Sequence, residues 1–184
     1  MKRLPLVLTV ILTGFMSFQN KGKNTSPDFI GTWTLLKCVA YQADGALLYP
    51  YGEHPVGQLL YDRKGNMMVE IMKPGIKKFV QSNLLEGVAD EVLPAYYGFI
   101  GYYGSYKIVP DSNLVIHHIK ACSFPNWVNE DQRRHYEFRN DELILKTSLI
   151  GSARYELTWR KLTDIPMGLT SLRKDGMVAQ KILT

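Results

Sequence analysis

Apolar and polar residues alternate along most of this chain, and the period of the alternation changes only once. From Phe29 the run IGTWTLLKCVAYQ alternates up to the turn signal Ala43-Asp44-Gly45 and predicts a strand. VGQLLYD and NMMVEIM flank Arg63-Lys64-Gly65 and predict a hairpin. The pattern returns over 102–109, 113–122, 132–139, 142–148 and 154–162, with turn chemistry at Pro110-Asp111-Ser112, Asn140-Asp141 and Ile150-Gly151-Ser152. Short strands at even spacing predict an antiparallel meander, and closing it removes the exposed edges. The expected fold is therefore all-β, an eight-stranded antiparallel up-and-down β-barrel. The change of period falls in 82–99, where Leu84, Leu85, Val88, Val92 and Leu93 recur at helical intervals. Gly87 and Pro94 interrupt it, which predicts either one rod or two short turns, near 82–86 and 90–98, laid over one end of the barrel as a lid.

Strand neighbours point to opposite faces, so the charges reveal which face is outside. Leu59 and Tyr61 with Met67, Val69 and Ile71 form one inner set. In 113–122 Lys120 marks its own set, Cys122 included, as outward and leaves His117 inside with Val115 and Ile119. In 132–139 the charges crowd the face of Arg133, His135, Glu137 and Arg139, which leaves Arg134 inside with Tyr136 and Phe138. Tyr102, Gly104, Tyr106 and Ile108 share a face, as do Tyr155, Leu157 and Trp159. An interior of tyrosines and aliphatics with one histidine and one arginine suits a small hydrophobic or aromatic molecule with a polar or anionic end. His117, Arg134, Tyr61, Tyr102 and Tyr106 are the expected ligand-binding residues. The same residues also read as structure: a buried His or Arg satisfied by backbone or a tyrosine hydroxyl, with the tyrosines as filling.

Composition places this barrel in one domain: 184 residues, 46% of them hydrophobic and 21% charged. Lys2 and Arg3 precede an apolar run of fifteen residues, Leu4 to Phe18, closed by Gln19, Asn20 and Lys21. That layout predicts a signal peptide over 1–20 and export to the periplasm or beyond, since a membrane-spanning helix needs roughly twenty apolar residues. Residues 21–28 read as a flexible lead-in, 29–162 as the barrel and 163–184 as a C-terminal tail. Without residues 1–20 the net charge falls from +5 to +3, twenty basic against seventeen acidic residues, and the basic ones are scattered. A nucleic-acid partner is not expected. Cys38 and Cys122 fall on the outer face of strands that are not neighbours, so both are expected to stay free. One cysteine beside His117-His118 is too few ligands for a metal, and no cofactor is expected.

At Gly31-Thr32-Trp33 the chain resembles the lipocalins, and the fuller likeness is to the bacterial and fungal lipocalin-like domain family of the calycin group. It runs in order through Pro50-Tyr51-Gly52, Pro55-Val56-Gly57, Leu60-Tyr61-Asp62, Gly65, Tyr102 to Tyr106, His117 with Ile119, Pro125-Asn126-Trp127, Arg133-Arg134 and Asp141 to Leu145. Asn129 stands where the family usually has glycine, and Cys122 where serine is common. The resemblance implies a barrel with an internal cavity and no general activity. It further implies that Trp33 plugs the closed end and that Arg160, near the end of the last strand, stacks across it. Three functional readings follow: an exported carrier of a small molecule; an isomerase or cyclase with His117 as general acid or base; or a cell-envelope interaction module with a filled barrel.

Overall fold

The computed structural model describes residues 28–83 and 85–163. The expected signal peptide, nearly all of the lead-in and nearly all of the tail lie outside these residues. The chain forms β1 (Gly31–Gln42), the two-residue β2 (Leu47–Leu48), β3 (Val56–Tyr61), β4 (Asn66–Met72), α1 (Ala89–Tyr97), β5 (Phe99–Val109), β6 (Leu114–Cys122), β7 (Asp131–Arg139), β8 (Glu142–Thr147) and β9 (Ala153–Lys161). From β3 to β9 each strand pairs antiparallel with the next, β1 pairs with β3, and β1 with β9 closes the ring. β2 adds only to the margin of β1, so the barrel itself has eight strands, as its alternation predicts.

The β3–β4 hairpin shows how local chemistry sets register. Asp62 Oδ1 accepts from the Lys64 and Asn66 N–H groups at 2.8 Å each, and Gly65 takes a φ of +83° that side chains rarely tolerate. With the turn pinned, Met67, Val69 and Ile71 are all buried and Met68, Glu70 and Met72 exposed. Asn129, in place of the family's usual glycine, sits at φ +66°, a left-handed conformation that asparagine enters readily.

Two β-bulges break the alternation, and both overturn an expectation. On β1 the register slips between Leu35 and Lys37, so Trp33 and Leu35 point inward before the bulge and Cys38 and Ala40 after it. Between β5 and β6 it slips again: Gly104 faces Ile119, but Tyr102 faces Cys122, with Lys120 as the extra residue. Residues directly opposite share a face, so Cys122 turns to the side of Tyr102. Neither cysteine is on the outer face; both are free. The second bulge also brings the chains so close that a Cβ on Gly104 would lie 1.9 Å from the His118 carbonyl oxygen, and only glycine fits.

The lid is one helix rather than two. Near 82–86 there is only a turn, with Glu86 N–H donating to the Asn83 carbonyl at 3.2 Å. The Glu91 carboxylate accepts from the Val88 N–H at 3.3 Å and from the Val80 N–H at 2.9 Å, which starts α1 at Ala89 and ties the preceding loop to it. No residue of α1 is buried; it is a cover and adds nothing to the core.

The closed end is aromatic and solid. Phe29 meets Tyr61, Tyr136 and Phe138 edge-on at centroid distances of 5.5, 4.9 and 5.0 Å, and Trp33 donates its indole N–H to the Phe29 carbonyl at 2.9 Å. The cation over Trp33 is Lys161, 5.4 Å from the ring, and not Arg160. Alternation explains the exchange: Trp159 points in, so Arg160 points out, where it bonds Asp141 at 3.3 Å and Glu142 at 3.1 Å. Lys161 faces Trp33 across the ladder and also reaches Asp28 at 2.6 Å.

Candidate functional site

Above this plug the interior opens into a cavity of about 250 Å³. Its walls come from successive strands: Cys38 of β1, Ile71 of β4, Ile100 and Tyr102 of β5, Arg134 of β7, Thr147 of β8, and Tyr155 and Leu157 of β9. Tyr51 enters from the loop before β3, Phe124 and Trp127 from the connection after β6, and Tyr96 and Tyr97 from the lid. Most of this lining is aromatic or aliphatic, and Arg134 is its one charged side chain.

Arg134 is only 5% exposed. Its Nη1 donates to the Arg133 carbonyl at 3.1 Å and to the Gln132 side-chain carbonyl at 3.4 Å, both neutral acceptors. The guanidinium lies 5.7 Å from the centre of the Trp127 ring, which stands edge-on to Tyr102 at 5.8 Å and to Phe124 at 5.9 Å. Among the described residues Arg134 makes no ion pair. A guanidinium held out of water with neutral partners only is costly, and a bound anion or strong acceptor would offset that cost.

His117 takes a different place. It does not line the cavity; it is fully buried beneath it, its Nε2 2.6 Å from the Tyr61 hydroxyl and its ring 6.2 Å from that of Tyr102. Burial first, and then Arg134, hold its pKa well below 6.5, while burial raises that of Tyr61, so the pair is neutral. If Tyr61 donates to Nε2, the one group of this pair left without a partner is the Nδ1 proton of the histidine. If Nε2–H donates instead, the Tyr61 proton is stranded as well. The first arrangement strands fewer groups, so Tyr61 is the donor and the His117 proton sits on Nδ1, which has no partner.

Of the five expected ligand contacts, Tyr102 and Arg134 line the cavity, and Tyr61, His117 and Tyr106 belong to the packed layer beneath. Tyr106 lies 4.6 Å from the Tyr61 ring, and its hydroxyl donates to the Asp62 carbonyl at 2.9 Å. Strand alternation did not single out Trp127, Tyr51 and Cys38. Trp127 stands in a 3-10 turn, Pro125–Trp127, and Tyr51 in a loop, where no period of two exists to read; Cys38 was hidden by the bulge. Burial raises the Tyr51 and Tyr102 hydroxyls and pushes the Cys38 thiol up to about 12, so all three keep their protons.

A family model described as a lipocalin-like domain matches residues 30–162. The chain belongs to the lipocalin-like domain family. A curated relative of this lipocalin-like chain is the 4'-hydroxy-3'-methoxypropiophenone carrier protein of Aspergillus oryzae, 32% identical over 108 residues that span 52% of this chain and 96% of the relative. Among solved structures, a mutant of the fluorescent protein UnaG is 14% identical, covers 74% of this chain and 97% of its own, and superposes with a TM-score of 0.36. A redesigned β-barrel is 12% identical, with 73% and 91% covered and a TM-score of 0.37. Among the described residues no group of three or more His, Cys, Asp or Glu side chains is placed to hold a metal ion.

Proposed function

We propose that this lipocalin-like protein is an exported carrier that encloses a small aromatic molecule with its polar end against Arg134. The observation that carries the reading is a buried arginine without a carboxylate, set in an aromatic cavity. Size agrees: a cavity of roughly 150 Å³ takes benzene, and about 250 Å³ takes one substituted ring. The relative's ligand, as its name states, is a phenolic aryl ketone, of that size and with acceptor oxygens at both ends. Trp127, Tyr102 and Tyr155 would face the ring, and Tyr96 and Tyr97 of the lid would cover it. His117 is closed off from the cavity and held neutral, which favours holding a molecule over converting it. Export rests on Lys2-Arg3 and the apolar run that follows. Recovery of the expressed full-length chain at full length in the cytoplasm would remove that part of the proposal.

The test is titration of the purified protein with 4'-hydroxy-3'-methoxypropiophenone, followed by tryptophan fluorescence. Trp127 in the cavity wall makes saturable quenching with one-to-one stoichiometry the expected result. Affinity should fall by about tenfold or more in Arg134→Met, the range for losing a charge-assisted hydrogen bond. Absence of saturable quenching, together with no small molecule released on denaturation of protein from its native cells, would overturn the carrier reading.

A further inference from the structure

The cavity has a charge imbalance that says more about its ligand than its size does. Arg134 brings one positive charge, and the titratable side chains around the cavity among the described residues can be named, beginning with Tyr96 and Tyr97 of the lid. Tyr61 comes from β3, Tyr102 from β5, His117 and Cys122 from β6, and Cys38, Tyr51 and Tyr155 from β1, the loop before β3 and β9. None is an acid. The nearest protein oxygens bound to the guanidinium are an amide carbonyl of Gln132 and the backbone carbonyl of Arg133. These two bonds run from Nη1, and the Tyr102 hydroxyl also lies within reach of the guanidinium. Among the described residues the site therefore has more guanidinium donors than acceptors and no negative charge to meet them.

A neutral ligand would leave that positive charge uncompensated in an apolar space. A dianion such as a phosphate ester would over-compensate it and would need more donors than one guanidinium edge supplies. A delocalised monoanion balances the charge, and its flat ring suits the surrounding aromatic side chains. Resting on the carrier reading, we infer that the cavity takes up a phenol bearing a para-acyl group as its phenolate, with the ionised oxygen on Arg134. The O–H bond breaks heterolytically, the electron pair stays on oxygen and is shared through the ring with the acyl carbonyl, and the proton passes to bulk water; nothing is oxidised or reduced. Desolvation opposes this ionisation, but an opposite charge within hydrogen-bonding distance typically lowers an acid's pKa by about one to three pH units. Arg134 cannot lose its own proton instead, because a guanidinium stays charged throughout the accessible range.

The experiment uses 4-hydroxyacetophenone and its methyl ether, 4-methoxyacetophenone, with the wild-type full chain and with Arg134→Met. Phenol and phenolate have distinct ultraviolet bands, so the ionisation state of the bound ligand is read directly. At about one pH unit below the pKa of the free phenol, the wild-type complex should show the phenolate band and release protons into weak buffer. It should prefer the phenol over the ether by about tenfold, the linkage at this pH when the bound phenol's pKa is lowered by about two units. In Arg134→Met the bound phenol should show the neutral band and the preference should vanish. Wild-type protein that binds phenol and ether equally, with the neutral band only, overturns the inference and leaves the carrier reading standing. No saturable binding of either probe overturns the inference, and the carrier reading is then decided by the titration and denaturation test above. The wild-type spectrum and the ether comparison decide the matter even if the variant does not fold.

Discussion

At the closed end of the barrel, Tyr61, Tyr136 and Phe138 meet Phe29 edge-on and Trp33 packs against Phe138; at the open end, Tyr51, Tyr102, Tyr155 and Trp127 surround about 250 Å³ of space. Both ends are rich in aromatic residues. The difference lies in what their polar groups do. Near the plug, Trp33 N–H has the Phe29 carbonyl, Lys161 has Asp28, and Tyr61 has His117. In the cavity Arg134 has only neutral partners among the described residues. Mostly paired polar groups, His117 Nδ1 and Trp159 Nε1 apart, accompany the closed packing; a buried charge with neutral partners accompanies the open space. The same few residue types thus make a foundation at one end and a cavity at the other.

The sharpest way to break this contrast is at the plug. Trp33→Ala removes a fully buried ring from the closed end and should cost about 3–5 kcal/mol, read as a lower urea midpoint. An effect under about 1 kcal/mol would mean that the closed end is not the foundation argued here.

The layer between the two ends gives a smaller effect with a pH signature. Tyr61→Phe leaves His117 Nε2 bare and should cost about 1–3 kcal/mol, whereas the double variant Tyr61→Phe/His117→Leu removes both partners and should recover most of that loss. The folded pKa of His117 lies below the unfolded 6.5, so as pH falls the unfolded chain takes up the proton first. Its contribution is complete above about pH 6.5 and drains away below it, before carboxylates titrate. Urea midpoints measured between pH 7 and 5 should fall in the wild type and stay level in the double variant. Parallel curves would show that His117 is not the group responsible.

The smallest effect, and the only one expected to change sign, is at Arg134. Exchange of an unpaired buried charge for a side chain of similar length, Arg134→Met, should leave stability unchanged or raise it by about 1 kcal/mol while abolishing preference for anionic ligands. A loss of about 3 kcal/mol or more without ligand would mark Arg134 as a structural group and erase the difference between the two ends.

Much of the architecture was legible because a strand's period of two is a local property. Leu59, Tyr61, Met67, Val69, Ile71, Val115, His117, Arg134 and Trp159 all point inward as alternation predicts. The reading failed where a local pattern met a non-local constraint. Lys120 and Leu36 each add one residue to a ladder, and a one-residue slip reverses every side chain beyond it; that is why Cys38 and Cys122 face inward. No slip is involved at Arg160: its expected role came from the resemblance, and plain alternation from Trp159 turns it outward and brings Lys161 over Trp33.

For the site, the sequence by itself determined that one histidine and one arginine would be enclosed among tyrosines, because the outward charges left them no other face. It could not determine that they would part company. His117 and Arg134 lie on adjacent strands, with Val115 opposite Arg134 and His117 opposite Gln132, so the offset between them is a matter of ladder register. That offset places His117 in the packed layer, where Tyr61 meets it from across the barrel, and Arg134 in the open one, where no acid does. Register and closure bring together residues far apart in the chain, and only then does it become physical fact that His117 meets Tyr61 while Arg134 keeps only neutral partners among the described residues.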